Sequence, residues 1–392
     1  MKFNFLKKER DPNLLTLKES REIIKSNLRE MKRLEKIKRE KKTLDDYTTV
    51  MKDGGNVLEV EDLETCFFTD NGVVRSVNKI SFNVPKDSIV GLVGESGCGK
   101  SVTSLSIMQL VQAPQGQVVG GEIRFNSDDL EGDRCYDVTK MPTVEMCRIR
   151  GKDISMIFQE PMTSLNPVFT VGYQIEEEFL LHNPEATKEE ARQKAIDMLS
   201  LVGIPMPETI VNYYPHQLSG GMRQRVMIAI ALTGNPKLII ADEPTTALDV
   251  TIQSQILKLL KKVQKDCGAS VVLITHDLGV VAEMADYVVV MYAGKIVEKG
   301  TVYDIFDNPM HPYTVGIQKA KPSLASDAAS ELYSIPGNVP NPINIPDECL
   351  FKGRCNRKCG KCEGAYPKEI KLSETHSVFC HLYDEEKGGD NK

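Results

Sequence analysis

The chain has 392 residues, with 49 Lys+Arg against 55 Asp+Glu, a net charge of −6, and 41% hydrophobic and 27% charged residues. That length holds one large domain with appendages, or two domains, and the composition is that of a soluble globular protein. The charge gives no reason to expect a nucleic-acid partner, and no run of about 18 uncharged apolar residues is present to span a bilayer.

The N-terminal stretch "MKFNFLKKERDPN" has no apolar core of signal-peptide length, so the expected compartment is the cytosol. Clustered cysteines there point to metal or catalysis rather than to disulfides. Residues 1–55 hold 16 Lys/Arg against 10 Asp/Glu, whereas the remaining 337 residues hold 33 against 45. Within them "ESREIIKSNLREMKRLEKIKREKKT" predicts a helix of strong helix formers, with Ile24, Leu28, Met31, Leu34 and Ile37 as a narrow apolar stripe. "KDGGN" (Lys52–Asn56) ends that segment. Two readings of the basic helix stand: one laid on anionic lipid, and one simply solvated. The expected division is a basic helical extension over 1–55, a main domain over 56–305 and a C-terminal region over 306–392.

From Val57 to about Gly300, strands and helices alternate. "SIVGLVG", "KLIIADE" and "SVVLITH" are short apolar runs suited to buried strands of a mostly parallel sheet. "EATKEEARQKAIDMLSLVG" and "TIQSQILKLLKKVQKDCG" read as amphipathic helices, each closed by a Gly. This is an α/β pattern. Beyond about residue 305 proline becomes frequent ("IPGNVPNPINIP"), and five of the ten cysteines fall in the last 44 residues.

The chemistry begins at "GESGCGKS", Gly94 to Ser101, which follows the strand "SIVGLV" and opens the helix "SVTSLSIMQLV". G-x-x-x-x-G-K-S in that setting is a phosphate cradle. Its glycines let backbone N–H groups wrap phosphates, and the helix N-terminus adds partial positive charge. The nucleotide-binding set is Gly94, Ser96, Gly97, Cys98, Gly99, Lys100, Ser101 and Val102. Cys98 counts for its N–H and not its thiol. Lys100 reaches the β- and γ-phosphates, and the Ser101 hydroxyl ligates Mg²⁺. Asp242, ending the apolar strand in "LIIADE", is placed to hold Mg²⁺ directly or through water. Glu243 beside it is the candidate to orient and deprotonate the attacking water.

Between these elements lies "HQLSGGMRQRVMIAIAL", and here the chain resembles the nucleotide-binding subunit of an ABC transporter. "LSGGM" (Leu218–Met222) is similar to that family's signature, with Met222 where Gln is usual and Gln224 two residues on. Further motifs fall in the family's order: Gln159 in "IFQEP" for the Q-loop, Asp249 in "TTALD" for the D-loop, and His276 in "LITHD" for the switch histidine. Phe67 in "CFFTDNG" is the best match to the aromatic that stacks on adenine, with Phe68 the alternative. The resemblance covers about residues 57–392. It implies an α/β P-loop NTPase cassette with a helical subdomain at about 160–225, Gln159 as a further Mg²⁺ contact, and catalysis by Glu243, Gln159 and His276. It also implies a dimer, in which Ser219, Gly220, Gly221 and Asp249 of one cassette complete the ATP site of the other. The physics agrees, because the signature opens a helix whose N-terminus can face a neighbour's γ-phosphate. Against a soluble ABC ATPase for repair, translation or cluster assembly, no inserted coiled coil and no second cassette is seen. Against a GTPase, no N-K-x-D motif appears.

"FQEPMTSLNPVFTVGYQI" and "GKIVEKGTVYDIFDNPMHPYTVGI" resemble the peptide/nickel branch, most closely the oligopeptide or dipeptide permease ATPases. "CLFKGRC" followed by "HSVFC" looks like the C-terminal region of those subunits, which can carry an iron–sulfur cluster. The family spacing falls on Cys349, Cys355, Cys362 and Cys380, the four thiolates a [4Fe–4S] cluster takes. Zinc is the runner-up, free buried thiols are the third reading, and Cys359 is left as the spare. The resemblance further implies a homologous second ATPase subunit, two transmembrane permease subunits, an extracellular peptide-binding protein acting indirectly, and a peripheral place on the cytoplasmic face of the cell membrane.

Overall fold

The structure, a computed structural model, describes residues 16–246, 248–320 and 333–384. Its centre is an eight-stranded sheet whose strands run, edge to edge, Ile370–Lys371, Ser377–Val378, Lys295–Thr301, Tyr287–Tyr292, Ile89–Val93, Ser270–Thr275, Leu238–Asp242 and Ile154–Ile157. The five from Tyr287–Tyr292 to Ile154–Ile157 are mutually parallel. Four of them, Ile89–Val93, Ser270–Thr275, Leu238–Asp242 and Ile154–Ile157, are buried at every position. Burial on both faces is what a continuous Val/Ile/Leu run requires, and alternate residues divide between two cores. Ile89, Val93, Ile239, Val271 and Leu273 join one core with Val226, Ile256, Leu260 and Val281 of the helices. Val90, Leu92, Ile240, Val272 and Ile274 join the other, with Ile107 and with Leu58, Phe82 and Ile123 of a second sheet.

That second sheet is antiparallel and five-stranded, in the order Thr48–Val50, Arg134–Asp137, Gly116–Phe125, Asn56–Thr69 and Gly72–Pro85. Between Ile154–Ile157 and Leu238–Asp242 the chain is helical: Pro161–Ser164, Val171–His182, Lys188–Leu201, Pro207–Ile210 and Gly220–Leu232. The two amphipathic helices read from the sequence are Lys188–Leu201 and Val250–Cys267, the second ended by Gly268 at φ 63°. The helix after the phosphate loop is shorter than its pattern suggests. It spans Lys100–Ile107, because Gln109 turns to φ 49° and its side chain bonds the Met141 carbonyl at 2.8 Å.

The basic segment forms the helix Leu17–Arg39, closed at its start by a capping box between Thr16 and Glu19. Its expected stripe is only partly the buried face. Leu34 is buried, but Leu28 and Ile37 are 47% and 41% exposed. A polar residue, Asn27, is buried instead, because its amide donates to the Thr69 carbonyl at 2.8 Å in the turn joining Asn56–Thr69 to Gly72–Pro85. Lys38 donates to Gln117 at 2.6 Å. The helix therefore lies on the antiparallel sheet, held as much by polar contacts as by apolar area.

The C-terminal segment has little regular structure and is pinned from below. The fully buried Glu298 accepts from the Met310 and His311 amides at 2.7 and 2.9 Å and pairs with His376 at 2.8 Å. Phe351 packs between Tyr292 and Tyr313, with ring centroids 5.2 and 5.5 Å away. His311 is buried beside them, its Nδ1 accepting from the Tyr313 amide at 3.0 Å, and burial pushes its imidazole down to about 3. A depressed histidine stays neutral in the fold while the unfolded chain takes up a proton below about pH 6.5, so its contribution to stability is lost as pH falls. Lowering the pH from 7 to 5 should cost the wild type about 2 kcal/mol more than it costs His311→Asn. Denaturant melts of both proteins at the two pH values measure that difference.

Candidate functional site

The phosphate loop bridges the end of Ile89–Val93 and the start of Lys100–Ile107, and it approaches backbone so closely that side chains are excluded. A Cβ on Gly94 (φ 154°) would fall 2.2 Å from the Met291 carbonyl oxygen, and one on Gly99 (φ 104°) 2.2 Å from that of Ser76. Cys98 is buried, and burial pushes its thiol up, so it is an inert filler. Lys100 folds back into the loop and donates to the Gly94 and Glu95 carbonyls at 2.8 and 3.1 Å. An ammonium bonded to two carbonyls on the rim of an amide-lined cradle is a cation positioned for an anion.

Asp242 reaches the same place from two strands away. It is 4% exposed, and its carboxylate accepts from Ser101 at 3.1 Å and from Ser104 at 3.5 Å. Burial pushes this carboxyl up, against the pull of the Ser101 hydrogen bond. A buried carboxylate beside a serine hydroxyl is the hard oxygen donor pair that Mg²⁺ takes, so Ser101 and Asp242 fit that ion. Together with Gln159, Met156 and Phe158 they line a cleft of about 590 Å³.

Glu243 follows in an unusual backbone state, φ 45°, its amide bonded to the Ile274 carbonyl at 2.9 Å. That conformation turns its side chain toward three partners. Gln159 donates at 3.0 Å, Thr246 at 2.8 Å, and His276 Nδ1 stands 3.2 Å away. Burial works to raise this carboxyl, but the bonds to Thr246 and His276 carry it below its ordinary value. The three residues expected to be catalytic, Gln159, Glu243 and His276, are thus brought together around one carboxylate.

The signature residues stand elsewhere. Ser219 caps the helix Gly220–Leu232, its hydroxyl accepting from the Met222 amide, and Asp249 caps Val250–Cys267 through the Ile252 amide. Ser219, Gly220 and Asp249 are exposed. Among the described residues, no side-chain hydrogen bond joins them to the phosphate loop. Phe67 is half-buried and Phe68 buried, both on the strand whose turn Asn27 grips.

The tail departs from expectation. Among the described residues, no group of three or more His, Cys, Asp or Glu side chains is arranged to hold a metal ion, so the four thiols Cys349, Cys355, Cys362 and Cys380 do not form a preassembled site. Burial raises three of them: it pushes Cys349 up to about 11, Cys380 to about 12 and Cys362 upward, and proximity to Cys355 and Cys362 adds to the first two. The supposed spare, Cys359, lies 3.6 Å from Cys362 sulfur to sulfur.

Two contacts had no signal in the sequence. Arg354 forms a two-pronged ion pair with Glu95 of the loop, 259 residues away, at 2.7 and 3.1 Å, and the Glu95 amide donates to the Tyr313 hydroxyl at 2.8 Å. Thr246 was closer to legible, lying three residues beyond Glu243 in "EPTT".

Fold and site define a P-loop ATPase of the cassette type. A family profile described as ABC transporter matches residues 77–246, and one described as oligopeptide/dipeptide transporter, C-terminal region, matches 297–362. The oligopeptide transport ATP-binding protein AppD of Bacillus subtilis (strain 168) is 49% identical over 330 residues, 84% of this chain and 98% of that protein. OppD of the same organism, also an oligopeptide transport ATP-binding protein, is 50% identical over 322 residues, 82% of this chain and 87% of the relative. Among solved structures, the dimeric bacterial ABC transporter cassette MJ0796 aligns with a TM-score of 0.54 at 27% identity, covering 62% of this chain and 98% of that one. The chain belongs to the ATP-binding subunits of the ABC transporter family, in the oligopeptide/dipeptide group. Gly99→Ala should therefore abolish nucleotide binding while leaving secondary structure intact, since a methyl there meets backbone rather than a movable side chain. Equilibrium binding of a fluorescent ATP analogue, with circular dichroism as control, tests it.

Proposed function

We propose that this chain is the ATP-hydrolysing motor of an importer for oligopeptides or dipeptides. It pairs with a homologous, non-identical ATPase subunit and works on two transmembrane permease subunits at the cytoplasmic face of the membrane, with an extracellular peptide-binding protein acting indirectly. The observation that carries the peptide reading is the match of residues 297–362 to the oligopeptide/dipeptide transporter C-terminal region, alongside near-half identity to peptide-transport ATP-binding proteins. A soluble ABC ATPase uncoupled from transport does not account for that C-terminal region. In this reading 56–305 is the cassette, 1–55 a basic extension and 306–392 an accessory region.

The mechanism follows from the local chemistry. Lys100 leaves the Gly94 and Glu95 carbonyls for the β- and γ-phosphates, and the loop amides wrap the same oxygens. Ser101, Asp242 and Gln159 would hold Mg²⁺, which when bound neutralises charge on those phosphates. Phe67 stacks on the adenine. Glu243, kept ionised by Thr246 and His276, accepts the proton of the attacking water, while His276 and Gln159 orient the reacting groups. Ser219, Gly220, Gly221 and Asp249 serve the partner's ATP. The place of all four at helix N-termini, with Ser219, Gly220 and Asp249 exposed, supports that role, because such amides attract phosphate. Two nucleotides close the dimer, and hydrolysis reopens it.

Glu243→Gln should bind ATP normally and lose turnover by about 10²–10⁴-fold, whereas Lys100→Ala should lose binding itself. Near-normal phosphate release by Glu243→Gln in the purified complex would remove Glu243 from the mechanism. Copurification of permease subunits with the tagged chain tests the assignment to transport.

For the tail, the donor set of four thiols suits a [4Fe–4S] cluster, with zinc the alternative. The proximity of Cys355 and Cys362 to both Cys349 and Cys380, close enough to raise those two thiols, supports a shared site. Its role is structural, stapling a segment poor in apolar core. Anaerobic purification of single serine variants should show iron and sulfide retained in Cys359→Ser and mostly lost in Cys349→Ser, Cys355→Ser, Cys362→Ser and Cys380→Ser. Iron lost from Cys359→Ser and kept in Cys362→Ser would exchange those two ligands, and zinc without sulfide would replace the cluster.

A further inference from the structure

The phosphate loop contains one acid. Glu95 is the second residue of the Gly94–Ser101 cradle, and its backbone carbonyl is one of the two that hold the Lys100 ammonium. A free carboxylate at that place would oppose the negative charge the cradle is built to receive. It is not free. Arg354, from the Cys-rich segment, meets both its oxygens, Nη1 at 2.7 Å and Nη2 at 3.1 Å. This fork-on-fork geometry is the strongest form of such a pair. The guanidinium is only 8% exposed; Nε donates to the Pro336 carbonyl at 3.1 Å and Nη2 also to that of Ile335 at 3.3 Å, both in the tail, and Nη1 also reaches the Tyr292 hydroxyl of the central sheet at 3.5 Å. The arginine is therefore anchored in the tail and presents two fixed donors to the loop. On the other side, the Glu95 amide is tied to Tyr313. Gly94, Glu95, His276 and Arg354 line one cavity of about 590 Å³, so the pair borders the first residues of the phosphate loop and the histidine expected at the γ-phosphate.

We propose that Arg354 is a positioning residue for the phosphate loop: it draws the Glu95 carboxylate out of the cradle and neutralises it, so that ATP affinity depends on the C-terminal segment being seated. Cys355 is its immediate neighbour, so whatever orders the cysteine segment orders the guanidinium. The inference rests on the reading that this loop binds ATP, and Lys100→Ala separates the two failures. If that variant kept full ATP affinity, the loop itself would be misassigned. If it lost affinity, the test of Arg354 stands alone.

The experiment is a double-mutant cycle on the full-length chain in its complex, reading equilibrium ATP binding together with KM and kcat for ATP hydrolysis. Arg354→Gln should raise KM and Kd for ATP by about tenfold, with kcat within about twofold of wild type, as expected for removing the buried partner of a part-buried, two-pronged charge pair. In the Glu95→Gln background, where no carboxylate remains to restrain, Arg354→Gln should change KM by less than about twofold. An equal tenfold rise in both backgrounds would mean that Arg354 only holds the tail together, and would overturn the proposal, as would an unchanged KM in the single variant. Should Arg354→Gln fail to fold, Arg354→Lys serves in its place, keeping the charge and losing the fork. It should raise KM about threefold with Glu95 present and leave it unchanged in the Glu95→Gln background.

Discussion

The contact on which the site depends is the one between Asp242 and Ser101, an almost waterless carboxylate held by a hydroxyl. A charge in that position survives only if it is partnered. The partner is the first turn of the helix that the phosphate loop opens. Strand order makes the meeting possible. Ile89–Val93 and Leu238–Asp242 flank Ser270–Thr275 in the parallel sheet, so three strand ends deliver the loop, the acid pair and the histidine to one edge. This is the place where parallel α/β sheets put their ligands, because the carboxyl ends of strands face the N-termini of helices.

From that edge, polarity is graded by backbone conformation. Asp242 ends a buried strand, while Glu243, at φ 45°, is only partly buried and meets the exposed Gln159 and His276. Two adjacent acids thus acquire different environments, one pushed up by burial and one drawn down by hydrogen bonds. Environment gives two adjacent carboxyls opposite shifts in proton affinity.

The parts outside the parallel sheet are joined to the rest by specific polar contacts as well as by apolar packing. The N-terminal helix grips the turn beside Phe67 and Phe68 through the Asn27 amide. The C-terminal segment reaches the loop through Arg354 and the core through Glu298 and His376. Both attachments combine apolar packing, Leu34 in one and Ile345, Leu350 and Phe351 in the other, with buried polar groups that must find partners.

The amino-acid sequence by itself determined the parallel-sheet strands, the phosphate loop and the acid pair. Each is a local pattern whose physics closes within a few residues: continuous Val/Ile/Leu runs for burial on both faces, glycines where a Cβ would strike backbone, Asp and Glu at a strand end. It also named Gln159 and His276, through a resemblance of ordered motifs, though nothing local says that both would meet Glu243. Only the tertiary structure decided the rest. Asn27 is buried and Leu28 is not, because a turn from another element offers carbonyls. The tail cysteines lie near one another, but among the described residues they are not preassembled into a metal-holding group. Arg354 closes on Glu95 across 259 residues of sequence. Such contacts depend on where distant backbone comes to rest, and no periodicity or spacing along the chain encodes that.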